Sequence, residues 1–272
     1  MAETFHSPAF LAVQYGDAEK LRTRHEAHAR YSENRGHYFD WLLTLLEPQP
    51  DLLLLDAGCG HGAHHLRLRQ QRMRILGIDL SAGMLREAGE QARSQGLAVA
   101  LCRSDSQRLP LRDASVDRAM ANHLLYHVPD IRRALRELRR VLRPGGRLVL
   151  GTNAADSGRR LFDLHDAAAR ALGFATLPPV YERFHLGHLP LVQEVFPAAS
   201  LKLHSDAFVF PDAPAALRYY ASGLVDHVEP LPDDGSHRAP LLRRVAEGIQ
   251  EIIDREGAFR VPKNAGCFVA AV

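Results

Sequence analysis

The spacing of apolar positions changes character along this chain. Up to about residue 50 it is helical. Arg22–Tyr31 has helical character, Ser32 is a suitable N-cap, and Tyr38, Trp41, Leu42, Leu45 and Leu46 form one apolar stripe. Pro48 and Pro50 stop that helix, because proline lacks the N–H a continuing helix needs. Short continuous apolar runs then alternate with helical patterns. Leu52–Leu55 reads as a strand buried on both faces. A helical pattern runs from Ala63 to about Gln71, and Ile75–Ile78 is a second strand ending in Asp79. Ser81 caps a helix to about Ser94, Val99–Cys102 is a third strand and Val116–Ala121 a fourth. Asp130 caps an amphipathic helix with Ile131, Leu135, Leu138 and Leu142 on one face. Pro144–Gly145–Gly146 breaks it, and Leu148–Gly151 is a fifth strand. Such alternation predicts a doubly wound α/β parallel sheet.

Beyond Asn153 the regularity lapses. Asp163–Leu172 looks helical, and Thr176–Pro190 is rich in Pro, Tyr, Phe and His. Leu201–Phe210 alternates and reads as one strand. Ala213–Gly257 is mostly helical with a turn at Leu231–Ser236, and Asn264–Val272 reads as a strand entered through Gly266. The expected organisation is one domain: a helical cap over 1–50, a core over 51–153, an insert over 154–199, and the rest of the sheet with a helical insert over 200–272.

Composition narrows the partners. The 272 residues carry 34 basic and 32 acidic side chains, a net charge of +2, so neither nucleic acid nor an anionic membrane is an expected partner. The basic runs Arg67–Arg74 and Arg132–Arg143 fall in helical patterns and read as solvated faces. Three cysteines without a CxxC indicate neither a disulfide framework nor a zinc site. No apolar run approaches the roughly 18 residues of a membrane span, and MAETFHSPAF lacks the features of a signal peptide. A cytoplasmic location is expected. The 15 histidines are scattered without metal-site spacing, so no metal is expected.

The chemistry is expected where strands stop, since ligands of such sheets bind outside their carboxyl ends. Those places are Asp56–Gly62, Asp79, Asp105–Ser106 and Asn122, all polar or glycine-rich. Taken alone, the first loop has two readings. Gly58, Gly60 and Ala63 satisfy GxGxxA, with Asp79 placed 21 residues after Gly58, as for a dinucleotide. Asp56, however, would repel a pyrophosphate. Its charge favours a ligand with an ammonium and a sulfonium, as in S-adenosylmethionine (SAM).

LLDAGCGHG resembles motif I of the class I SAM-dependent methyltransferases. GIDLSAGML, SDSQRLPLRDASVDRAMANHLLYHVPD and LRRVLRPGGRLVL follow in order and resemble later blocks of the methyltransferase type 11 group. The match covers roughly Leu52–Asn153 and is similar to bacterial small-molecule methyltransferases. It implies a Rossmann-like, seven-stranded, mostly parallel sheet whose last strand is antiparallel, with N-terminal helices and a helical lid insert. It also implies SAM as cofactor and S-adenosylhomocysteine as product. By position, Asp56, Gly58 and Gly60 hold the methionine part, Asp79 the ribose, and Leu80 packs on the adenine. Asp105 and Ser106 meet the adenine edge, Asn122 lines the floor, and Tyr15, Arg22 and Tyr31 close over the cofactor from the N-terminal helices.

The family does not fix a catalytic residue, because a base is needed only if the acceptor must lose a proton. His127 is the first candidate, and His123 the second. Tyr126, Tyr181, Phe184, His185 and His188 are candidate contacts to a small-molecule methyl acceptor. The tetrad of nucleic-acid amino-methyltransferases is absent, its place reading Asn122-His-Leu-Leu. No acid cluster of the metal-dependent catechol type is evident. The alternatives are an NAD(P)-dependent oxidoreductase and a SAM-binding protein without turnover.

Overall fold

The computed structural model describes residues 18–34, 36 and 38–272. By internal contacts the chain divides into two compact units. One comprises Gly36–Ala155, Tyr181–His204 and Ala265–Val272, the other Met1–Arg35, Asp156–Val180 and Ser205–Asn264.

The first unit is built on a seven-stranded sheet. Its strands are β1 (Leu53–Ala57), β2 (Arg74–Asp79), β3 (Val99–Arg103), β4 (Val116–Asn122), β5 (Leu142–Asn153), β6 (Ser200–His204) and β7 (Ala265–Ala271). Their order is β3-β2-β1-β4-β5-β7-β6. β1 to β5 pair in parallel, and β7 runs antiparallel to both β5 and β6. This is the fold class expected. The apolar runs become central strands: Leu54, Leu55, Val149 and Leu150 are fully buried. β1 and β4 lie mid-sheet, where both faces are covered.

Helices α1 (Tyr38–Leu45), α2 (Ala82–Ser94), α3 (Ile131–Val141) and α4 (Leu189–Gln193) belong to the same unit. The caps form as the sequence predicts. Ser81 Oγ accepts from Met84 N at 3.3 Å, and an Asp130 oxygen accepts from Arg133 N at 2.9 Å. α3 buries Ala134, Leu135, Leu138 and Val141. Each fully buried leucine is worth about 1.5–3 kcal/mol against exposure, so this face fixes how the helix lies.

Three expected elements differ. The fifth strand begins at Leu142, because the Pro144–Gly146 turn is carried inside it as an irregularity: the partner of Val116 is Leu142, and that of Arg118 is Arg147. The helix expected from Ala63 is a 3-10 helix over His65–Gln71. It starts late because the side chains of His64 and His65 turn into the protein interior. The strand read over Leu201–Phe210 is two strands. Ser200–His204 pairs with β7, whereas Ala207–Phe210 pairs with Phe259–Pro262 in the second unit.

The second unit packs helices Ala18–Tyr31, Arg159–Ala171, Ala213–Ala221 and Arg238–Glu256 with two small sheets. Phe208, Phe210, Phe259, Tyr220, Leu241 and Val245 form its core. A polar network is buried within it. His165 Nε2 lies 3.1 Å from the His227 carbonyl, which only accepts, so Nε2 carries the proton and Nδ1 accepts from the Tyr220 hydroxyl at 2.7 Å. Asp226 accepts from His237 Nε2 at 3.1 Å and from Arg238.

Candidate cofactor and active site at the strand ends

The glycine loop after β1 is stitched to the end of β2. Gly58 N and Cys59 N both donate to the Ile78 carbonyl, at 2.7 and 3.0 Å. Gly58 and Gly60 sit at φ +71° and +54°, a region that favours glycine. A Cβ on Gly58 would stand 2.6 Å from Leu124 Cδ1, while one on Gly60 would meet nothing within 4 Å. The loop is therefore supported on one side and open at Gly60.

Asp79 faces this loop. Its two oxygens accept from Gly60 N at 2.9 Å and Ser81 N at 2.8 Å. A carboxylate has about four acceptor positions, so capacity is left for two hydroxyls. Leu80 follows with 65% of its surface exposed, a large apolar side chain left to water. Asp105 is exposed, and both its oxygens accept from the Gln107 side chain, at 3.1 and 2.9 Å. Ser106 beside it is buried.

Asp56, at the end of β1, is 1% exposed. Its Oδ2 accepts from His65 Nε2 at 2.9 Å, a protein partner that the sequence reading missed. Oδ1 has no hydrogen-bond partner among the described residues. A buried carboxylate oxygen without a donor is costly, and a cationic or N–H-bearing ligand relieves it. With the open cradle at Gly60, the unfilled capacity of Asp79 and the exposed Leu80, the residues present fit the polar and apolar parts of SAM.

After β4 a polar cluster forms. Asn122 Oδ1 accepts from the Tyr38 hydroxyl at 3.3 Å, and its Nδ2 lies 3.3 Å from His64 Nε2. Burial raises the Tyr38 phenol well above its ordinary value, so it stays a donor. His64 packs on Phe39 at 4.0 Å between ring centroids. His123 adopts φ +52°, and its N–H donates to the Gly151 carbonyl at 2.9 Å. Burial first, then His64 and His127, lowers the His123 imidazole to about 4, so it is neutral at neutral pH. His127 ends the single 3-10 turn Leu125–His127, its ring 4.6 Å from that of Tyr126. Cys59 is no thiolate nucleophile: burial and then Asp56 and Asp79 push its thiol up.

The other predicted contacts separate. Phe184 is 1% exposed and packs edge-on to Phe268 at 5.6 Å. His185 and His188 cap a short helix: His185 Nδ1 accepts from Gly187 N at 3.0 Å, and His188 Nδ1 from His185 N at 3.1 Å. Tyr181 and Tyr126 are buried. Arg22 and Tyr31 belong to the second unit, where Arg22 is exposed and Tyr31 packs on Phe210 at 5.0 Å. Tyr15 lies outside the described residues. A groove of about 500 Å³ along α3, lined by Arg132, Arg136, Arg139 and Arg140, shares no residue with the strand-end site. Glu194 holds Arg132, while Glu137 and Asp113 hold Arg140. Among the described residues, no three His, Cys, Asp or Glu side chains are arranged to hold a metal ion, and no helix is long and apolar enough to cross a membrane.

The buried histidines predict a pH dependence. Burial lowers His123 and His227 to about 4, and lowers His64 and His165 as well. The unfolded chain therefore takes up protons first as pH falls through about 6.5. Folding stability should be full above that value and drop by a few kcal/mol between about pH 6.5 and 4. Urea denaturation across this range measures it, and a flat profile would mean that these rings are hydrated.

Comparison with known proteins agrees with this geometry. Residues 55–150 match the type 11 family model described as "Methyltransferase domain". A malonyl-acyl-carrier-protein O-methyltransferase of Erwinia billingiae is 33% identical over 208 residues, covering 73% of each chain. The corresponding Erwinia pyrifoliae protein is 28% identical over 258 residues, 94% of this chain and 89% of its own. Several other curated relatives are matched over about half their length. In fold, a SAM-dependent methyltransferase from Aquifex aeolicus superimposes with a TM-score of 0.54 at 14% identity, covering 94% of this chain and 97% of that one. The chain belongs to the class I SAM-dependent methyltransferases. SAM is accordingly its cofactor, and these relatives lend no support to the oxidoreductase alternative.

Proposed function

We propose that this chain transfers a methyl group from SAM to an oxygen, nitrogen or carbon atom of a small-molecule acceptor, by in-line displacement at the carboxyl ends of β1 to β4. The observation that carries this reading is the set of unfilled partners at consecutive strand ends: Asp56 Oδ1, the open face of Gly60, the spare acceptor positions of Asp79 and the exposed Leu80. Asp56, Gly58 and Gly60 would hold the methionine part, Asp79 the ribose, Leu80, Asp105 and Ser106 the adenine, and Asn122 the floor. When bound, SAM supplies an already activated methyl group and leaves as S-adenosylhomocysteine. What the chain must then do is orient the acceptor and exclude water. Positioning of this kind is worth on the order of 7–11 kcal/mol.

His127 is the proposed base for an acceptor that arrives protonated. His127 lies just beyond the end of β4, on the turn Leu125–His127. A base works best with a pKa near the operating pH, and His123, at about 4, lies too low. A second reading, a carboxylate acceptor, is supported by the relatives named for O-methylation of a malonyl group on acyl carrier protein. Such an acceptor is already ionised and needs no base.

The pH profile of kcat/KM with His127→Ala separates the two. A protonated acceptor gives a rate that rises with pH in the wild type and falls by about 10²–10⁴ in the variant, with SAM affinity kept. A carboxylate acceptor gives a flat profile and a change of a few-fold. Equal collapse of SAM affinity in His127→Ala would make the residue structural.

A further inference from the structure

We propose that His65 is a positioning residue of the cofactor cradle, holding the Asp56 carboxylate so that Oδ1 is left for the ligand. This rests on the reading of the strand ends as a SAM site. Asp56 on β1 and Gly77 on β2 are register partners, and the His65 ring lies against both. Space for that ring comes from two missing side chains. A Cβ on Gly62 would stand 2.8 Å from His65 Nδ1, and one on Gly77 would stand 3.1 Å from His65 Cε1 and 2.9 Å from Cys59 Sγ. His65 is 2% exposed and Asp56 1%. The imidazole therefore fills a slot that Gly62 and Gly77 leave open.

The slot fixes more than packing. A carboxylate only accepts, so Nε2 carries the shared proton and the His65–Asp56 bond is charge-assisted. With Oδ2 taken, the carboxylate cannot turn about its bond to Cβ without losing that bond. Oδ1, the oxygen without a partner among the described residues, is thereby held in one place. The main chain of the same residue follows the loop: the His65 backbone N–H donates to the Gly62 carbonyl at 3.0 Å, and that of Gly62 to the Cys59 carbonyl at 3.0 Å. One residue thus ties the charged end of β1, through its ring, to the turn that carries Gly60, through its backbone. The neighbouring imidazole, His64, turns instead to Asn122 and Phe39.

The test uses the intact protein, calorimetric titration with SAM, and thermal unfolding without it. His65→Phe fills the slot but donates nothing, and His65→Gln keeps an N–H donor. His65→Phe should weaken SAM binding about tenfold, the scale of one charge-assisted hydrogen bond, and His65→Gln should recover most of it. In the Asp56→Asn background, His65→Phe should add little. In the ligand-free protein, the NMR signal of the His65 Nε2 proton should lie downfield and move upfield in Asp56→Asn. Wild-type SAM affinity in His65→Phe, equal losses in the Phe and Gln variants, or additive losses with Asp56→Asn would overturn the proposal. If His65→Phe does not fold, the Gln and Asn variants and the proton signal decide it. Failure of the wild type itself to bind SAM would instead overturn the functional reading beneath it.

Discussion

Replacing Asp79 with alanine should abolish measurable SAM binding at ordinary concentrations. The carboxylate closes β2, accepts from Gly60 N and Ser81 N, and keeps capacity for two ribose hydroxyls. Hydrogen bonds to a charged group contribute about 1.5–3 kcal/mol each. Two of them correspond to roughly two to four orders of magnitude in Kd. The substitution also removes the acceptor that ties the glycine loop to the next strand, so the loss should sit at the upper end. Asp79→Asn keeps one accepting oxygen and should fall between. Titration calorimetry gives the affinities, and thermal unfolding shows that the fold persists. A loss under fivefold in Asp79→Ala would remove this residue from the cofactor site.

Asp226→Ala should be the most damaging single change to folding in the second unit. Asp226 is 7% exposed and accepts from His237, 2% exposed, and from Arg238. Removing the carboxylate leaves a buried imidazole without its acceptor and a half-buried guanidinium with the Ala221 carbonyl, at 2.9 Å. Breaking a buried charge pair from one side costs about 3–5 kcal/mol, because the remaining charge stays desolvated. The midpoint of urea denaturation should fall accordingly. Asp226→Asn, which can still accept from both partners, should lose less. A cost below about 1 kcal/mol for the alanine variant would mean that water reaches the network.

Much of the sheet was legible because its strands are buried on both faces. Leu52–Leu55 reads as a continuous apolar run, Ile75–Ile78 as one broken only by Gly77, and Val116–Ala121 as a strand despite Asp117 and Arg118; each became a strand of the sheet. The helix caps Ser81 and Asp130 are local signals and formed as expected. The split of Leu201–Phe210 had a local mark that a single-strand reading passes over: His204, Ser205 and Asp206 are three consecutive polar residues, and Ser205 falls where the period of two needs an apolar side chain. The break itself is set by distant partners: His204 pairs with Ala265, and Ala207 with Pro262.

At the site, the residues at the strand ends were legible but their contacts were not. Asp56 was read as facing the ligand directly, whereas one oxygen is held by His65. A signal for that pair was present. Gly77 interrupts the apolar strand Ile75-Leu-Gly-Ile, and glycine inside a strand marks a close approach by another group. The aromatic and histidine-rich segment Tyr181–His188 gave no such signal. Its composition suits a pocket and a core equally; Phe184 is buried, and His185 and His188 form a capping box.

The central claim is that the loop after β1 and the ends of β2 and β3 hold SAM, not a dinucleotide. Calorimetric titration of the wild-type protein with SAM and, separately, with NAD tests it most directly. Saturable binding of SAM with no binding of NAD is the predicted result. Binding of NAD without binding of SAM would contradict it.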